Sequence, residues 1–100
     1  MIDGTFEITM VLPPWTVVND LVMQGNPDGT ITGTLDMRSS PNGKTVFPIE
    51  RGFWNKNFFH IFVDVELGKF ECIGTVTESG LTGYVEIENK PDLLFGLRKK

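Results

Sequence analysis

The chain of 100 residues can bury one real core and is too short for two domains. Nine basic against thirteen acidic side chains leave a net charge of −4, which argues against nucleic acid and anionic membrane, since both require clustered positive charge. Cys72 is the sole cysteine, so no disulfide can form within the chain.

Turn signals divide the chain, and alternation fills the intervals between them. In 5–12, Phe6, Ile8, Met10 and Leu12 share one face, opposite Thr5, Glu7 and Thr9. Pro13-Pro14 interrupts that run. In 15–24, Trp15, Val17, Leu21 and Met23 share a face with Asn19. Asn26-Pro27-Asp28-Gly29 is a strong turn. After it, 30–37 sets Ile31, Gly33, Leu35 and Met37 against Thr30, Thr32, Thr34 and Asp36, the clearest half-buried strand of the chain. A turn over 39–43 precedes a strand expected at 44–50, and Asn55-Lys56-Asn57 precedes one at 57–65. There Phe59, Ile61, Val63 and Val65 form the better core face, which turns Phe58, His60, Phe62 and Asp64 outward. Glu66-Leu67-Gly68 leads into 69–77, where Phe70, Cys72, Gly74 and Val76 share a face. Glu78-Ser79-Gly80 leads into 81–88, with Leu81, Gly83, Val85 and Ile87 together. Asn89-Lys90-Pro91-Asp92 is read as the last turn, before a strand at 93–98.

No segment has helical period, and the connections are too short for crossover helices, so neighbouring strands must pair antiparallel. An open sheet of about eight strands would leave two exposed edges. The expected fold is therefore all-β, a single antiparallel up-and-down meander of about eight strands closing into a small barrel over 1–100. Apolar-x-Gly-x-apolar recurs at 31–35, 72–76 and 81–85, with an echo at Phe95-Gly96-Leu97. Repeated glycines inside strands are what tight barrel coiling needs.

Asp28-Gly29-Thr30-x-x-Gly33-Thr34-Leu35, the step Gly52-Phe53-Trp54-Asn55 and the Phe-rich stretch 58–62 together resemble small calycin-type barrels. So do Gly74-Thr75-Val76, Leu81-Thr82-Gly83 and the terminal Phe95-Gly96-Leu97-Arg98. That group includes lipocalins and fatty-acid-binding proteins. Phe6 stands where lipocalins carry the tryptophan of Gly-x-Trp. The resemblance implies a barrel with an apolar lumen and transfers no catalytic residue.

His60 is the only histidine and hence the candidate for acid–base chemistry. One histidine and one cysteine make no metal set, and no cofactor motif occurs. Cys72 reads as a buried thiol, and Glu50-Arg51 as a polar pair that could meet a ligand carboxylate at the barrel mouth. Asn19 is the one amide on an otherwise apolar face, and a buried amide needs partners. The leading expectation is a small apolar ligand held by Trp15, Asn19, Met10, Met23, Met37 and Phe70, because methionine and aromatic linings adapt to such molecules. The alternative is a homodimer or assembly module with a filled interior, using Trp54, Phe58, Phe62 and Tyr84 as an outward aromatic surface. An isomerase or lyase working through His60 ranks last. The opening Met1-Ile2-Asp3-Gly4-Thr5 lacks the basic and apolar stretches of a signal peptide, and no apolar run approaches a membrane span, so the cytoplasm is the expected location.

Overall fold

A computed structural model describes residues 2–12, 15–38, 45–65 and 68–99, with the backbone alone for 11, 12 and 15–17. The expected turns at 13–14 and 39–43, and most of that at 66–68, lie outside the described residues.

Eight strands follow one another: β1 (Gly4–Leu12), β2 (Trp15–Gly25), β3 (Ile31–Met37), β4 (Val46–Asn55), β5 (Phe58–Val65), β6 (Gly68–Val76), β7 (Gly80–Ile87) and β8 (Lys90–Arg98). Each pairs antiparallel with its sequence neighbour, and β1 pairs with β8 from Phe6↔Arg98 to Thr9↔Phe95, which closes the ring. The all-β up-and-down barrel read from the sequence is the fold. No helix is long and apolar enough to cross a membrane.

The alternation decides which faces are buried. Phe6, Ile8, Met10, Leu21, Met23, Leu35, Phe59, Ile61, Phe70, Leu81, Val85 and Leu94 all point into one core. A membrane-spanning barrel has the reverse polarity, apolar outside with a polar lumen.

Two elements depart from the sequence reading. The strand expected at 44–50 continues to Asn55, through a register shift between Ile49 and Arg51. The extra residue at Glu50 reverses the alternation, so Phe47 and Ile49 point inward before it and Gly52 after it. At the other site, the turn expected at 89–92 is two residues long and lies at Glu88-Asn89, both with positive φ (49° and 65°). Pro91 then lies inside β8, opposite Glu86. The described pairing of β8 with β1 begins only at Phe95, so the missing N–H of Pro91 falls outside that ladder.

One end of the barrel is closed by its termini. Asp3 Oδ1 accepts a hydrogen bond from the Gly25 amide (2.9 Å), and Arg98 Nη1 donates to the Asp3 carbonyl (2.8 Å). Arg98 also donates to the carbonyls of Thr77 and Glu78, and its guanidinium lies over the Phe6 ring at 4.8 Å. Ile2 is fully buried beneath this lid. The C-terminal ends of β1, β3, β5 and β7 lie at the opposite end.

Candidate functional site

The feature of the interior that points to a ligand is Asn19. Among the described residues it is the one polar side chain that is fully buried, and neither its Oδ1 nor its Nδ2 has a hydrogen-bond partner there. Its position follows from the alternation of β2, which turns Leu21 and Met23 the same way. Register sets it beside Ile8 of β1 and Met37 of β3, both buried. Met10 lies one inward step beyond Ile8, toward the end away from the Arg98 lid. An amide carries two donors and an acceptor, and leaving such a group dry and unmade costs about 1–3 kcal/mol. The sequence marks Asn19 as an amide on an apolar face; the structure sharpens this to an amide without a partner among the described residues.

The other interior residues expected to line a site divide between the two ends. Met37 and Phe70 lie toward the same end as Asn19, whereas Met23, opposite Gly33, lies toward the end sealed by Arg98. The Trp15 side chain lies outside the described residues.

His60 points outward, as the parity of its strand predicts. Its side chain is 28% exposed, its Nε2 is 2.6 Å from Glu71 Oε2, and its ring stacks on Phe62 at 4.7 Å. Cys72 faces the other side of the same wall and is buried, and burial, followed by the nearby Glu71 charge, pushes its thiol up to about 12. The two therefore form no nucleophile–base pair. No group of three or more His, Cys, Asp or Glu among the described residues is arranged to hold a metal ion.

Arg51 lies on the outer wall, not at a barrel mouth. Its guanidinium sits over the outer face of Phe62 at 4.3 Å. A groove of about 430 Å³ opens beside it, lined by Glu50, Lys69, Glu71, Glu86 and Glu88 among others. The mixture of charges shows no preference for one ligand.

Of the expected outward aromatics, Phe58 and Tyr84 are exposed and Phe62 is half-buried under Arg51 and His60. Trp54 does not belong with them. It packs against the core, and its Nε1 donates to the Asn26 carbonyl at 2.9 Å, because the extra residue at Glu50 reverses the parity of β4. Phe53 is exposed in its stead. The sequence reading missed Ile73, Leu93, Phe95 and Leu97, which are also exposed. The signal for the last three was present: Leu93, Phe95 and Leu97 alternate with Leu94 and Gly96, so β8 has more apolar bulk on its outer face than on its inner one.

Comparison of the chain with protein-family models, curated proteins and solved structures gives no match.

Proposed function

We propose that the barrel is a cytoplasmic calycin-type receptor that takes one small, mainly apolar molecule into its interior, with Asn19 as the polar anchor. The observation that carries this reading is the fully buried Asn19 amide, which has no hydrogen-bond partner among the described residues. The neighbouring methionines Met10 and Met37 support it, because thioether side chains repack around differently shaped ligands. So does the closed up-and-down topology, which is that of calycin barrels. Among the described residues no charged side chain is buried in the core, which favours an uncharged ligand. Burial of its surface supplies affinity at about 25 cal/mol per Å² before association costs.

The test uses N-phenyl-1-naphthylamine, a neutral apolar fluorophore with one N–H donor. Wild-type protein should bind it saturably at one site per chain, and Asn19→Leu should weaken binding about tenfold, the value of one hydrogen bond. Substituting Leu93 on the outer wall should leave this binding unchanged. If wild type shows no saturable binding, the reading is wrong. It is equally wrong if Asn19→Leu binds the probe as tightly as wild type does, since Asn19 would then be no anchor for the ligand.

A further inference from the structure

The outer wall of β6, β7 and β8 carries a continuous apolar surface. Ile73 stands directly opposite Tyr84, and Tyr84 directly opposite Leu93. Phe95 stands opposite Thr82, diagonal to Tyr84, and Leu97 follows on the same face. Tyr84 is 62% exposed, Leu93 52%, Phe95 56% and Leu97 68%. Alternation alone would have placed polar side chains here, as it does at Glu7, Asp20 and Asp36 across β1, β2 and β3.

We infer that this wall is a two-fold interface and that its occupant is the same wall of a second copy of the chain. The argument rests on area and shape. At ~200 Å² for a whole large apolar side chain, the exposed parts of Ile73, Tyr84, Leu93, Phe95 and Leu97 amount to on the order of 500 Å². A stable interface of standard size takes about 800 Å² from each partner, roughly 60% of it apolar. The patch thus matches the whole apolar share of one such interface, and Thr9, Thr82 and Glu86 around it supply a polar rim. A two-fold contact needs one surface that is complementary to itself. This wall has both halves of such a fit. Phe95 and Leu97 line a groove of about 360 Å³ together with Glu7, Thr9, Leu81 and Thr82, and the exposed Tyr84–Leu93 pair lies beside it on the same face. In the dimer the pair from one copy enters the groove of the other.

The closed ring excludes pairing by strand addition, because it leaves no edge. The net charge of −4 also opposes contact with an anionic bilayer. Two such chains repel one another, so added salt should tighten the dimer.

Sedimentation velocity on the full chain across the micromolar range tests the inference. Wild type should sediment as a dimer, and Leu93→Glu or Phe95→Glu, each on the exposed face, should weaken dimerisation at least a hundredfold with unchanged far-UV circular dichroism. Val46→Glu, exposed on β4 across the barrel, should leave the dimer intact. A wild-type monomer throughout that range overturns the inference. So does a dimer that persists in both wall variants, or a wall-dependent association of monomers with phosphatidylcholine vesicles, which would give the face to lipid.

Discussion

At the scale of single residues, the charged side chains of the wall of β1, β2 and β3, which adjoins the apolar one through β1 and β8, are held in a network. Asp20 accepts hydrogen bonds from Arg38 and from Lys99, and Arg38 reaches on to Glu7 at 3.0 Å. The arrangement has a clear purpose in packing terms: Glu7, Asp20 and Asp36 stand opposite one another on β1, β2 and β3, and like charges in that position repel. The Arg38 hydrogen bonds, with Lys99 assisting, hold the Asp20 carboxyl below its ordinary value of 3.8, against the opposing effect of burial. A carboxyl with a lowered folded-state pKa stabilises the fold above its unfolded value and loses that contribution as pH falls through the folded one. Arg38→Ala should therefore be less stable than wild type at pH ~7, and the gap should narrow as pH falls below 3.8 through the lowered Asp20 value; urea unfolding across that range measures it. Asn19 belongs to the same scale. It was legible in the sequence because a polar residue broke an apolar stripe, whereas its lack of a partner depended on what β1 and β3 bring beside it.

At the scale of elements, close backbone approach accounts for the glycine repeat. Gly83 faces Gly74 across β6 and β7, and a Cβ at Gly83 would lie 2.1 Å from the Ile73 carbonyl oxygen and 2.6 Å from the Gly74 Cα. Neither atom can yield, because both belong to the ladder. Gly83→Ala should cost at least ~2 kcal/mol, read as a lowered urea midpoint. The β7–β8 turn offers the opposite opportunity. Glu88 holds φ of 49°, a region that costs ordinary side chains energy and suits asparagine. Glu88→Asn should stabilise the protein by about 1 kcal/mol, with a raised Tm in a thermal melt. The extra residue at Glu50 was invisible to pattern reading for a related reason. A bulge changes the parity of a strand without changing its composition, and the shift that turned Trp54 inward appears only in the pairing of β4 with β5.

At the scale of the molecule, closure depends on contacts between the two ends of the chain. The pairing of β1 with β8 is short, from Phe6↔Arg98 to Thr9↔Phe95, and Arg98 extends it by joining Asp3, Thr77 and Glu78 across the barrel end. Arg98→Ala removes those hydrogen bonds and the stem covering Phe6, and should cost about 2 kcal/mol of stability. Amide exchange should locate the loss: protection should fall first in β1 and β8, where the ring is closed, and least in β5 and β6. Equal loss around the whole barrel would mean that closure does not depend on this residue.

The sequence by itself determined the strands, most of the faces they bury and the presence of one amide among apolar neighbours. Period-two alternation and turn chemistry are local, so they can be read along a chain. Tertiary structure alone decided the register in which β1 meets β8, the side of the sheet that Trp54 takes, the His60–Glu71 pair and the union of Ile73, Tyr84, Leu93, Phe95 and Leu97 into one surface. Each of these rests on register between strands, which depends on side chains that meet only once the barrel has closed.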